Sequence, residues 1–217
     1  MVTHIAASYM TDLPNDELIL SAAGGDRQAL DQLWQLHRAR LRQVIQIRLD
    51  PRVRRRVDPS DLIQETFIEA QRRLPDYVHQ RPLPFYPWLR QLALERLNKA
   101  HKRHLGVKGR AVAREVENWE MPDESVVQLA DRLVSDETGA MQRLLRDEIR
   151  RQVREALDQL NFDDRQVLVM RVLEDLTTGE TAAVLGISEA AVRMRQLRAL
   201  ERLQKIIRKK QGPAGGR

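Results

Sequence analysis

Apolar positions recur along this chain at helical spacing almost throughout, and strand signals are nearly missing. There is no long period-2 alternation and no Asn-Gly or Asp-Gly hairpin turn. A short helix is predicted over Asp16 to Ala23, stopped at Gly24-Gly25. A long one follows from Asp26 to Leu49, with Leu30, Leu33, Trp34, His37, Leu41, Val44, Ile45 and Leu49 near helical spacing. Asp58-Pro59-Ser60-Asp61 reads as a helix start: Asp58 is the N-cap, Pro59 the first position, and Asp61 lies near the positive helix end. That helix carries Leu62, Ile63, Phe67 and Ala70 and is expected to end near Leu74-Pro75. Tyr77 to Pro84 holds two prolines and reads as a loop. Another helix is expected from about Phe85 to His104. Gly106 to Gly139 reads as an acidic linker with one or two short helices, and a second helical unit starts near Met141. Its first helix, to Leu160, aligns Leu144, Leu145, Ile149, Val153, Ala156 and Leu157.

Composition narrows the class. The 217 residues are 42% apolar and 31% charged, with no cysteine, which removes disulfide scaffolds, thiol nucleophiles and cysteine-ligated zinc. No run approaches the roughly 18 apolar residues of a membrane span, so no membrane span is expected. Residues 1–11 lack the basic start and apolar stretch of a secretory signal. The expectation is a soluble, all-α, basic protein working in the cytoplasm.

The placement of charge is more informative than the net +6. Arg38 to Arg56 holds eight arginines and one aspartate, Lys99 to Arg110 five basic residues and no acid, and Arg193 to Lys210 eight basic residues and one glutamate. Ala111 to Ala140 reverses the sign, with eight acids against two arginines. Any one block is a solvated helix face as readily as a binding surface; three together favour a polyanion partner.

The most specific signal lies in Leu176 to Leu203. Thr177-Thr178-Gly179-Glu180 fits a capping box. The short helix that follows ends at Gly186, and Ser188 caps the next. Small Ala182 permits close approach, Gly186 permits the turn, and Val192 packs the second helix on the first, as in a helix-turn-helix. The second helix presents Arg193, Arg195, Arg198 and Arg202, suited to phosphates and guanine edges.

With these residues in view, Leu160, Arg165-Gln-Val-Leu and Leu176 through Leu200 resemble region 4 of the extracytoplasmic-function (ECF) sigma factors of bacterial RNA polymerase. Asp58-Pro-Ser-Asp-Leu-Ile-Gln-Glu-Thr-Phe67 resembles the region 2 helix that holds the polymerase clamp. Phe85-Tyr-Pro-Trp88-Leu-Arg-Gln-Leu-Ala93 resembles the aromatic segment that handles the melted −10 element, and Asp26 to Leu49 the preceding region 2 helix. Thr181, Gln196-Leu197 and Glu95 depart from the usual family pattern, where Ile, Leu-Ser and Asn are frequent.

The resemblance implies two small helical domains, region 2 over 15–105 and region 4 over 141–210, joined by an acidic linker over 106–140. Residues 1–14 form an N-terminal tail and 211–217 a disordered one. It implies polymerase binding through Asp61, Leu62, Gln64, Glu65 and Phe67. It implies −10 contacts by Tyr77, His79, Gln80, Arg81, Phe85, Tyr86, Trp88, Arg90, Lys99, Lys102 and Arg103, with the Tyr77–Pro84 loop capturing a flipped base. It implies −35 contacts by Thr177, Thr178, Ser188, Glu189, Ala191, Arg193, Arg195, Arg198 and Arg202. The partners are core RNA polymerase, through its clamp helices and flap, and promoter DNA, double-stranded and melted; an anti-sigma factor is a further partner the family allows.

Each residue also has a plainer use. Asp61, Glu65 and Glu69 at i, i+4 and i+8 read as one acidic face, either solvated or docking; no Glu-x-x-His accompanies them, so no metal is expected. Phe85 and Trp88 at i, i+3 also suit a core. His101 and His104 have no further ligands to form a metal site, and Arg52 to Arg56 suits nucleic acid or polymerase equally. No phosphate loop, nucleophile elbow or His-Glu-x-x-His is present, so no enzyme and no cofactor is expected. The rival readings are a stand-alone helix-turn-helix repressor or activator and a helical protein-interaction adaptor.

Overall fold

The computed structural model describes residues 13–105, 122–134 and 143–211. Among them every regular element is helical. The chain divides between residues 107 and 108 into two compact units.

The first unit packs α1 (Leu13–Ala23), α2 (Arg27–Arg48), the single turn α3 (Pro51–Arg54), α4 (Pro59–Gln80) and α5 (Phe85–Leu105). The α1–α2 corner forms because Gly25 takes φ +97° and Asp26 then caps α2, accepting from the backbone N–H groups of Gln28 (2.9 Å) and Ala29 (3.3 Å). The apolar stripe of α2 turns inward: Leu33, Leu41, Val44 and Ile45 are fully buried. Helix α2 packs on α4 and α5, which bury Leu62, Ile63 and Leu74 and Leu89, Leu92 and Leu97 respectively. Each such side chain contributes about 1.5–3 kcal/mol by leaving water. Asp58 starts α4 as its sequence indicates, its carboxylate accepting from Ser60 N–H at 2.7 Å, with Pro59 at the first position.

The far end of α4 departs from expectation. The helix runs through Pro75 to Gln80, so the segment read as a loop from Tyr77 is helical for its first four residues. Pro75 removes one N–H, but the helix beyond it is anchored by buried Leu74 and Tyr77, and Tyr77 Oη donates to Leu83 O at 3.1 Å. Packing thus outweighs the missing bond. The helix closes at Arg81, which adopts φ +38°, donates its N–H to Tyr77 O (2.8 Å) and binds both oxygens of Asp16 at 3.0 Å.

The second unit contains α6 (Asp123–Val134), α7 (Arg143–Asp158), α8 (Phe162–Leu168), a π-helical turn (Val169–Leu173), α9 (Thr178–Leu185) and α10 (Glu189–Gln211). Helix α6 comes from the segment read as a linker. It buries Ser125, Val126 and Leu129, packs against α7 and the π turn, and Arg132 donates to Val172 O and to Asp175 (3.1 Å). The remainder of the linker, 106–121 and 135–142, and both tails lie outside the described residues, apart from the helical positions 13, 14 and 211.

The capping box at Thr177 is complete: Glu180 N–H donates to Thr177 Oγ1 (3.1 Å) and Thr177 N–H to Glu180 Oε2 (2.7 Å). Thr181, where a larger apolar side chain would be usual, is fully buried and satisfies its hydroxyl on Thr177 O at 2.8 Å. Gly186 makes the turn at φ +63°, Ser188 caps α10 by accepting from Ala191 N–H (3.1 Å), and Val167, Ala182 and Val192 form the joint core. A Cβ at residue 186 would meet no atom within 4 Å, so the need for glycine there is conformational alone. Gly186→Ala is expected to cost about 1 kcal/mol and Gly186→Asn distinctly less, measured by urea denaturation of the full chain.

Candidate nucleic-acid interface

On α4, Asp61, Gln64 and Glu65 are exposed, whereas Leu62 is buried and Phe67 is half-buried, stacked on Trp34 at 4.7 Å and 15°. Leu62 and Phe67 therefore set the face rather than form its outer surface. Ile68, which the sequence reading passed over, is 68% exposed beside them. Glu69 does not share the acidic face. It is buried, and its carboxylate binds Arg72 (2.6 Å), Arg73 (2.5 Å) and Arg96 (2.8 Å), while Arg73 also approaches Glu95 at 3.6 Å. Hydrogen bonding, from Arg72 first and then Arg73, holds the Glu69 carboxyl at about 2. The i, i+4, i+8 pattern missed this because a charge network across α4 and α5 turns the third carboxylate inward.

The aromatic residues are divided by burial. Tyr77, Phe85, Tyr86 and Trp88 are buried, and so is Arg90. Tyr77 lies 4.4 Å from Trp88 and 5.5 Å from Phe85, and His37 on α2 lies 5.2 Å from Phe85. The Arg40 guanidinium sits 3.5 Å over the Tyr86 ring. These five residues, read as base contacts, form core in this conformation; burying ring area outcompetes leaving it in solvent. His79, Gln80 and Arg81 stay exposed at the α4–α5 corner.

On the last turns of α5, Lys99 and Arg103 are exposed and Lys102 is half-buried. His101 ties this end of α5 to the turn before α3: its Nε2 accepts from Asp50 N–H at 3.2 Å. That bond needs the neutral ring, and burial lowers the His101 pKa below its ordinary 6.5. Its stabilisation is therefore complete above about 6.5 and is lost as the pH falls through and below that value. Glu69 acts in a separate window, complete above 4.5 and lost as the pH falls towards about 2. Thermal melts of the full chain are expected to show a first loss of stability as the pH falls through and below about 6.5, and this loss should be smaller in His101→Gln. A second loss, below pH 4.5, is expected to be smaller in Glu69→Gln, the remainder coming from the Asp26, Asp50 and Asp58 carboxyls that are also held below their ordinary value.

In the second unit, Ser188, Glu189, Arg193 and Arg198 are exposed along the first turns of α10, Ala191 and Thr178 are half-buried, and Thr177 serves as the cap of α9. Among the described residues, Arg193 reaches only its own-helix neighbour Glu189, at 3.3 Å. Arg195 and Arg202 are engaged otherwise: Arg195 binds Asp163 at 3.3 Å and Arg202 binds buried Asp164, both on α8. These two guanidiniums brace α10 on α8, so the outward arginines are Arg193 and Arg198. Between them stand Met194 and Leu197, 47% and 50% exposed; Leu197 is one of the departures from the family pattern, and neither was among the residues assigned to DNA from the sequence. Their signal was present in the spacing: Ala190, Met194 and Leu197 fall at i, i+4 and i+7 on the side away from Val192 and Ala199.

An all-helical chain with a capped, glycine-turned helix-turn-helix and an arginine-bearing second helix is a DNA-binding protein in its second unit. The family described as "Sigma-70, region 4" matches residues 156–205. The ECF RNA polymerase sigma factor SigD of Mycobacterium tuberculosis (strain ATCC 25618 / H37Rv) is 29% identical over 189 residues, covering 87% of this chain and 82% of SigD. The RNA polymerase sigma factor CnrH of Cupriavidus metallidurans is 29% identical over 193 residues, covering 88% and 92%. A solved structure of CnrH in complex with the cytosolic domain of CnrY shares the fold, at TM-score 0.51 and 24% identity over 90% of this chain and 97% of that one. The chain is thus similar to ECF sigma factors over most of its length, and its helix-turn-helix falls in the stretch that matches region 4.

Proposed function

We propose that the protein binds core RNA polymerase through Asp61, Gln64, Glu65 and Ile68 on α4, with Leu62 and Phe67 supporting that face. In this reading the α4–α5 corner, through His79, Gln80 and Arg81, meets the melted −10 element, and Lys99, Lys102 and Arg103 meet the duplex beside it. Arg193, Met194, Leu197 and Arg198 read the −35 element, with Glu189 setting the position of Arg193 and Ser188 and Thr177 holding the helix ends. Region 2 spans 15–105 and region 4 spans 141–210; helix α6 accompanies region 4. The protein acts in the cytoplasm as a specificity subunit with no catalysis of its own. Melting needs no nucleotide hydrolysis here, because captured unpaired bases shift the duplex equilibrium. CnrH is seen bound to the cytosolic domain of another protein, and a regulatory partner of that kind fits this chain.

The observation that carries the proposal is the match of region 4 to the residues that form the helix-turn-helix, with Arg193 and Arg198 free of the bracing contacts that occupy Arg195 and Arg202. The test is co-elution of the purified chain with core bacterial RNA polymerase, followed by transcription from a pool of promoter fragments. Stable co-elution with promoter-selective initiation is expected. DNA binding without polymerase association would make it a stand-alone regulator, and neither activity would leave an adaptor.

A further inference from the structure

The sequence carries two basic blocks, Arg52–Arg56 and Lys99–His104, some forty residues apart. The structure joins them. Helix α3 packs on α5, and the Asp50 N–H to His101 Nε2 bond, 3.2 Å long, pins the turn before α3 to the last turns of α5. Arg52 lies close enough to His101 to act on its charge.

The carboxylates nearby are already spent. Asp50 holds Arg52 at 2.8 Å, and Asp58 is occupied as the cap of α4. Arg55, Arg56, Lys99 and Arg103 are exposed and make no ion pair among the described residues, and exposed Arg54 is braced on Gln46 O at 3.1 Å.

We infer that Arg55 and Arg56 join Lys99 and Arg103 in one continuous surface of the first unit that grips the phosphate backbone of duplex DNA. It extends the duplex contact proposed for the end of α5 and rests on that reading. The character of the surface selects the partner. A protein-docking face is built around an apolar or aromatic centre, and here Leu49, Val53, Leu97 and Ala100 all turn inward, leaving charge alone outside. A single-strand site uses aromatic platforms for bases, and neither block contains Phe, Tyr or Trp. Arginines without carboxylates or rings match a phosphate backbone.

The test uses the full chain carrying Arg55→Gln and Arg56→Gln, two exposed positions whose replacement leaves the core untouched. Affinity for a fluorescent 30-base-pair duplex is measured between about 50 and 200 mM salt, and affinity for core polymerase is measured in parallel. Each lost phosphate contact lowers the salt slope by about 0.9, so the double variant is expected to lose about 1.8 from the magnitude of the slope. Core affinity should be unchanged. An unaltered slope overturns the inference, and an unaltered slope with weakened core binding assigns the surface to polymerase instead. Promoter complexes of the wild-type holoenzyme are assayed alongside. Their absence would remove the sigma-factor reading, while the duplex measurement would still decide for or against the basic surface.

Discussion

Asp61→Lys combined with Glu65→Lys is expected to leave the first unit folded and to cut affinity for core RNA polymerase on the order of 100-fold, because opposed like charges at an interface cost several kcal/mol. Both carboxylates are exposed and neither forms an ion pair among the described residues. Their replacement therefore touches no core contact. The only structural cost is at Asp61, in the first turn of α4, where an acid favours the positive helix end by about 0.3–1 kcal/mol. A face made of two carboxylates, Gln64 and an exposed isoleucine fits a partner surface that offers cations around a small apolar contact. Glu65→Gln alone should fall between wild type and the double variant, since it removes attraction without adding repulsion. Fluorescence anisotropy with labelled chain and core polymerase reads the affinity, and circular dichroism checks the fold. Wild-type affinity in the double variant would remove α4 from the polymerase interface.

Local chemistry made much of this fold legible. Asp58-Pro59, Thr177 with Glu180, Gly186 and Ser188 each fix backbone geometry through neighbours only a few residues away, and each is found in the role its sequence indicates. What stayed illegible depends on contacts between distant segments. Pro75 signals a stop, but the burial of Tyr77 against Phe85 and Trp88 is settled by α5. Glu69 looks like a third member of a solvent face until Arg96, 27 residues on, reaches it. The same holds in the second unit. Four arginines on one helix are equivalent as sequence, and only Asp163 and Asp164 on α8 separate the two that brace the helix from the two that face outward. The aromatic segment around Trp88 illustrates the limit most clearly. Its composition suits base stacking and core equally, and the choice belongs to His37 and Arg40 on α2 as much as to itself.

That division of α10 leads to an expected result at the level of single atoms in the DNA. In the proposed reading Arg193 and Arg198 contact guanine edges, and losing a base-contacting arginine costs about 1–3 kcal/mol, so Arg198→Ala should weaken selective initiation roughly 10- to 100-fold. Arg202→Ala, which removes a brace rather than a base contact, should lower stability while leaving base preference in place. Met194 and Leu197 offer apolar surface between the two outward arginines, and in the major groove the one apolar feature of a base edge is the thymine methyl group. Replacing a contacted thymine by uracil deletes only that methyl and should cost about 0.8 kcal/mol, near fourfold in affinity. The −35 element recovered from the promoter pool can be synthesised with uracil at each thymine in turn, and holoenzyme affinity measured for each duplex. In a Met194→Ala, Leu197→Ala variant the uracil penalty should vanish at the same positions, because the contact it reports has already been removed. A penalty that persists undiminished in that variant would mean that other groups read those methyls, and the two apolar side chains would then have to be exposed for a protein rather than for DNA.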